Sequence, residues 1–230
     1  MRFLLKFSDN RDTDSLSTKF RKRRFEVFRS LVDLIPRPLN ILDVGGTQDF
    51  WEKMDFSKEP GVEIKILNIT KVPVKYPGFS SVVGDARDLS RFGDGDFDIV
   101  FSNSTIEHLG EYEQQKKMAS EVKRVGKRYF VQTPNRLFPI EPHFLFPFFQ
   151  HLPLSLKLLL AINFELGWYK KFKDKEEAKK KIRSIRLLRK KELKRLFPGA
   201  TLKKEKFLFL TKSFMLFDGW DASMKLEKGS

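Results

Sequence analysis

The 230-residue chain contains no cysteine, which excludes disulfides, thiolate metal sites and any reaction that needs a cysteine nucleophile. It has only three histidines, His108, His143 and His151, so few side chains can exchange a proton near neutral pH. Long hydrophobic runs are missing too. Phe3, Leu4 and Leu5 are followed at once by Lys6, far short of a signal-peptide core. The most apolar later stretch, residues 152–168, is interrupted by Pro153, Lys157 and Glu165 and makes a poor membrane span. A cytoplasmic protein is expected, with peripheral membrane contact left open.

Positive charge is abundant. Lys and Arg number 45 against 30 Asp and Glu, a formal net charge of +15, which invites anionic partners such as nucleic acid, phosphorylated metabolites or an acidic membrane. The excess is concentrated. Residues 170–206 carry 17 basic against 5 acidic side chains and residues 1–37 carry 10 against 5, so the rest of the chain is close to neutral.

Residues 19–35 place Phe20, Phe28, Leu31, Val32 and Ile35 on one helical face, and Pro36 and Pro38 stop the pattern. Five β-rich runs follow at residues 40–46, 62–69, 80–84, 98–102 and 128–132. Their alternation with helical or turn material predicts a parallel sheet with crossover helices. Between residues 137 and 173 the texture changes to four prolines and seven phenylalanines, an insertion predicted to cover the sheet. Residues 174–197 predict one basic helix with Ile182, Ile185, Leu188, Leu193 and Leu196 as its buried stripe. Residues 202–210 and 213–217 predict an antiparallel hairpin turning at Thr211-Lys212.

The expected fold is therefore α/β: a Rossmann-like, doubly wound sheet, mostly parallel, with a terminal antiparallel hairpin and an α-helical insertion between strands 5 and 6. Its parts are a basic helical extension (1–37), a core (38–136 and 190–220) and an aromatic, basic lid (137–189).

The first strand ends in Asp43-Val44-Gly45-Gly46-Thr47, and a glycine turn leaving a buried strand lets a ligand approach the backbone closely. The dinucleotide fingerprint needs further glycines where Thr47 and beyond stand, so a nicotinamide enzyme is disfavoured. Asn68, Asp85 and Asn103 follow strands 2, 3 and 4. In an open α/β sheet such strand ends converge on one crevice, where they can accept hydrogen bonds from a nucleoside.

With Ile41-Leu-Asp-Val-Gly45, Val83-Gly-Asp-Ala-Arg-Asp-Leu89 and Phe97-Asp-Ile-Val-Phe-Ser-Asn-Ser-Thr-Ile-Glu-His-Leu109, the chain resembles the class I S-adenosylmethionine-dependent methyltransferases. The likeness is to the type 11, small-molecule group, over residues 40–136 and again 190–218. The resemblance implies S-adenosyl-L-methionine as cofactor. Asp43, Gly45 and Gly46 would lie at its methionine end with Asn103, Asn68 at the ribose, and Asp85 and Ala86 at the adenine. The family usually has an acidic residue where Asn68 stands, and an amide lacks the charge assistance of a carboxylate.

A base helps when the acceptor is a hydroxyl. His108, just past strand 4, and His143, in the insertion, are the catalytic candidates; His151 has no obvious partner. Asn135 and Arg136, after strand 5, are candidates for substrate contact. Glu107-His108 alone does not define a metal site, and no metal is assigned. Ser102-Asn103-Ser104-Thr105 departs from the motif resembling amine-methylating enzymes of bases, and pyrimidine carbon-5 methylation needs the absent cysteine, so nucleic acid is a less favoured acceptor. The expectation is O-methylation of a small or lipid-like, anionic acceptor. The alternative is a non-catalytic RNA- or membrane-binding module with a basic face.

Overall fold

In the computed structural model, residues 15–220 are described; residues 1–14 of the expected N-terminal extension lie outside them. Helix α1 (Leu16–Val32) is followed by β1 (Leu39–Val44), α2 (Gln48–Lys53), β2 (Val62–Asn68), β3 (Phe79–Val83), β4 (Ile99–Asn103), α3 (Tyr112–Val125) and β5 (Tyr129–Pro134). Helices α4 (Leu154–Asn163), α5 (Lys175–Arg183) and α6 (Lys190–Leu196) then precede β6 (Thr201–Phe207) and β7 (Leu210–Asp218). The seven strands form one sheet in the order β3-β2-β1-β4-β5-β7-β6. Only β7 runs against its neighbours, pairing antiparallel with both β5 and β6. The expected fold class is what forms.

The two faces follow from strand alternation. Ile41, Ile99, Phe101 and Phe130 pack with Phe25 and Phe28 of α1 and Trp51 of α2. Leu42, Val44, Val100 and Val131 pack on the other side with Met118 and Val122 of α3 and Leu193 and Leu196 of α6. Asp43 has the parity of Ile41, so its carboxylate is carried into the aromatic face beneath α2. Burial at these strands is nearly continuous, as expected of parallel strands covered on both sides.

Three expectations are corrected. Helix α1 begins and ends three residues early, because Ser15 caps it by accepting from the Thr18 N–H at 3.1 Å. The single basic helix is two. After Arg183 the chain runs extended, with the Arg186 N–H donating to the Glu107 carbonyl at 2.7 Å and the Leu188 carbonyl accepting from the Arg136 N–H at 3.1 Å. Those bonds to the sheet's own loops outcompete helix continuation. The hairpin turns at Leu208-Phe209, not Thr211-Lys212, with Leu208 at φ 53° and Phe207 paired to Leu210. Lys212 consequently belongs to β7. The insertion builds a small core of its own from Phe144, Phe149, Ala161, Leu166, Ala178 and Ile182. No helix among the described residues is long and apolar enough to cross a membrane.

Candidate active site

The strand order reverses direction between β1 and β4, and such a switch point opens a crevice at the carboxyl ends of the strands. Register places the tips level with one another. Val44 is opposite Leu67 and Asp43 opposite Phe101, so continuing the register by one residue on the first side and two on the second sets Gly45 between Asn68 and Asn103. The Gly45 N–H donates to the Leu67 carbonyl at 2.7 Å, and the Gly84 N–H to the Asn68 carbonyl at 2.9 Å. Asp85 lies one residue beyond.

The turn after β1 is packed to its limit. Gly45 has φ +82°, and a Cβ there would lie 2.4 Å from the Thr105 side chain; a Cβ on Gly46 would meet an Asp43 carboxylate oxygen at 1.8 Å. Asn68 donates from Nδ2 to the Gly46 carbonyl at 3.1 Å, fixing the turn and leaving its Oδ1 for a ligand hydroxyl. Asp43 is 1% exposed and accepts from the Trp51 indole at 2.7 Å through Oδ2. Its Oδ1 is buried without a partner. Burial raises the Asp43 pKa to about 7 despite the Trp51 hydrogen bond.

These residues fit the cofactor implied by the resemblance. A bare backbone cradle and an unpartnered carboxylate oxygen suit the cationic methionine end, with Asn68 at the ribose. Asp85 needs a rearrangement: Arg87 holds it through Nε at 2.9 and 3.0 Å and through Nη2 at 2.5 Å. The pair is exposed, so separating it costs little. Ala86 is buried in the core and can offer a ligand only its backbone.

Next to the crevice lies a cavity of about 540 Å³, walled by α1, the ends of β4 and β5, the lid and the β6–β7 hairpin. His108 and His143 both line it, with ring centroids 4.7 Å apart. His143 is held by the lid: its Nδ1 is 2.7 Å from Glu141 Oε1, while Glu141 Oε2 accepts the backbone N–H of His143 at 2.8 Å and of Phe144 at 2.6 Å. That bond fixes the tautomer with the proton on Nδ1 and leaves Nε2 as an acceptor. Burial pulls the His143 pKa down, but the hydrogen bond and charge of Glu141, with Glu107, leave it raised. His108 goes the other way. Crowding by protein, with the charges of His143 and Lys181, lowers its pKa to about 4, a shift moderated by its access to water through the cavity.

Glu107, which the sequence did not single out as catalytic, is fully buried. It accepts from Thr133 Oγ1 at 3.0 Å through Oε2, while its Oε1 has no partner. Burial raises its pKa. Glu107, His108 and His143 bring ligand atoms within 4.8 Å of one another, so the fold supplies the third group that the adjacent Glu-His pair lacked.

The two residues expected to touch substrate are placed differently. Asn135 lines the cavity, but its side chain is committed: Nδ2 donates to the Thr211 carbonyl at 2.8 Å and Oδ1 accepts the Leu137 N–H at 3.1 Å. It ties β5 to β7. Arg136 faces a separate cavity of about 170 Å³ with Lys157 and Arg186, since its own backbone pairing with Leu188 turns it away. The cations that do line the larger cavity are Arg21, Arg24 and Lys212. His151 lines neither cavity.

Residues 51–129 match the family described as "Methyltransferase domain". The uncharacterized protein Rv1509 of Mycobacterium tuberculosis is 35% identical over 63 residues, which is 27% of this chain and 22% of that protein. The chain thus spans about a fifth of the length of the curated relatives it matches. A SAM-dependent methyltransferase structure from Methanosarcina mazei is similar at TM-score 0.51 and 16% identity, covering 81% of this chain and 94% of the other. The CurJ carbon methyltransferase is similar at TM-score 0.54 and 14% identity, covering 89% of this chain and 55% of its own. At these identities the structural likeness establishes the fold.

Proposed function

We propose that this chain, which has the fold of the class I S-adenosylmethionine-dependent methyltransferases and matches a methyltransferase domain over residues 51–129, transfers a methyl group to a hydroxyl of a small or lipid-like acid held in the 540 Å³ cavity. The observation that carries this reading is the level alignment of the Gly45-Gly46 turn with Asn68 and Asn103, beside a cavity that contains a Glu-oriented histidine.

When bound, S-adenosyl-L-methionine supplies an electrophilic methyl group on a sulfonium. The chain's part is to align the acceptor oxygen with that methyl and to exclude water. His143 Nε2 would accept the proton that the acceptor hydroxyl gives up. Glu141 orients the ring and stabilises the imidazolium that forms. His143 is the better base of the two histidines, because Glu141 orients its ring and raises its pKa, whereas that of His108 is lowered. His108 is left to hold the acceptor's polar atom.

We also propose a peripheral contact with an anionic membrane through the lid. Phe148, Leu159, Phe164 and Trp168 are exposed on it, and the basic α5 packs against α4, an arrangement suited to an acidic lipid surface. Trp168 and Leu145 belong to the cavity wall as well, which would let a lipid-like acceptor enter from the bilayer.

Calorimetric titration with S-adenosylmethionine tests the core of the reading. Micromolar binding lost in Asp85→Ala is expected, and absence of binding at millimolar cofactor would refute it. Flotation with vesicles should require anionic lipid. Tight, steeply salt-dependent RNA binding without flotation would instead favour a nucleic-acid role for the basic face.

A further inference from the structure

The cavity's wall of α1 and the β6–β7 hairpin carries a charge arrangement that methyl transfer does not use. Three cations, Arg21, Arg24 and Lys212, face one carboxylate, Glu205. Glu205 is already satisfied. Both its oxygens lie 3.0 Å from Arg24 Nη1, and Oε2 also accepts from Ser213 Oγ at 2.8 Å. Arg21 and Lys212 have no carboxylate partner among the described residues. Arg21 lies 5.9 Å from the Phe50 ring centre and has a buried Nε with no hydrogen-bond acceptor. Lys212 Nζ sits 4.0 Å from the centre of the Phe20 ring.

Desolvated cations without counter-ions are costly to maintain. Burial lowers Lys212 to about 8 and Arg21 to about 10; the other cations of the wall add to the fall, and for Lys212 the charge of Glu205 offsets it only in part. Their neighbours in the wall are Phe20, Phe138, Ile140 and Phe207, so an approaching group would meet positive charge set in an apolar lining. Small inorganic anions would leave that lining unfilled. An acid carrying an apolar body would fill it and neutralise the pair at once.

We propose that Arg21 and Lys212, backed by Arg24, form an anion-binding subsite of the acceptor cavity. The acceptor is then an amphipathic acid, a carboxylate or phosphate monoester joined through an apolar span to the hydroxyl presented to His143. This rests on the methyltransferase reading for the hydroxyl and on the cavity alone for the acid. The sequence pointed to Arg136 for this task; the fold gives it to the first helix and the last strand.

Titration calorimetry with octyl phosphate, octanoate, 1-octanol and octyltrimethylammonium, alongside S-adenosylmethionine as a separate ligand, tests it. At least one octyl acid should bind about tenfold or more tighter than octanol, and the stronger of the two names the headgroup. An Arg21→Met/Lys212→Met variant should lose that preference while binding S-adenosylmethionine unchanged. Arg21→Lys, which keeps the charge, should retain most of it, and Lys212→Glu should favour the octylammonium ion. Equal binding of octanol and both acids, or full preference surviving in the double methionine variant, overturns the subsite. Loss of S-adenosylmethionine binding in the natural protein would sink the methyltransferase reading, and the octyl series would still decide the subsite.

Discussion

Asp43 makes the cofactor site pH-sensitive in a direction that can be worked out. Buried beneath the glycine turn, it has a pKa of about 7 where an unfolded aspartate has about 3.9. A raised carboxyl pKa means that ionisation opposes folding. The cost is absent below pH 4, grows as pH climbs toward 7, and amounts to a few kcal/mol when complete. A cationic ligand beside the unpartnered Oδ1 reverses that balance by favouring the charged form. Apparent affinity for S-adenosylmethionine should then rise about fifteenfold from pH 5.5 to pH 7.0, since the ionised fraction grows from about 3% to about half. The range stops there because an α-amino group itself loses its proton near pH 8. Calorimetry at pH 7 in buffers of different ionisation enthalpy should show about half a proton released per cofactor bound. Asp43→Asn should bind more weakly at pH 7, show a flat profile, and unfold at a higher temperature than the natural protein. A flat profile in the natural protein, or an equal slope in Asp43→Asn, would refute the reasoning.

Other outcomes follow from the same geometry. Asn68→Asp, which restores the family's usual acid, should change cofactor affinity less than about fivefold, because the charge-assisted bond gained is offset by loss of the donor to the Gly46 carbonyl; equilibrium dialysis would detect a larger gain. His143→Gln should lower kcat about 10²- to 10⁴-fold with cofactor affinity unchanged, measured by transfer of a labelled methyl group. The natural rate should rise with pH through a value above 6.5, because His143 must be neutral to act and its pKa is raised. Glu141→Gln should move that limb to lower pH. Gly45→Ala should cost about 2 kcal/mol or more in urea unfolding and abolish cofactor binding, since it combines a left-handed φ with a clash on Thr105.

The sheet was legible because its strands are short apolar runs set off by turns, and the cofactor crevice because strand ends in such a sheet converge by topology. Periodicity found the buried residues of the 174–197 segment correctly but not its geometry. Ile182 packs in the lid's core and Leu188, Leu193 and Leu196 in the sheet's, two surfaces that one helical stripe cannot distinguish. The hairpin turn hid because Phe207-Leu208-Phe209-Leu210 has no glycine, asparagine or aspartate to mark it. That shift brought Lys212 to the acceptor cavity. Glu107 and His108 stand far from Glu141 and His143 in the sequence, and the two pairs meet only because the lid folds over the end of β4, a long-range contact no local pattern encodes.

The acceptor cavity joins the two extremities of the described chain. Arg24 reaches Glu205 across 181 positions, and the Trp220 indole donates to the Leu31 carbonyl across 189. The cavity wall is therefore closed by contacts of very high sequence separation, whereas the glycine turn after β1 is held by neighbours close to it in the sheet. Helix α1 thus serves both sites, walling the cavity with Phe20, Arg21 and Arg24 while Phe25 and Phe28 press on the Trp51 that holds Asp43, so a change in its packing is felt at donor and acceptor together.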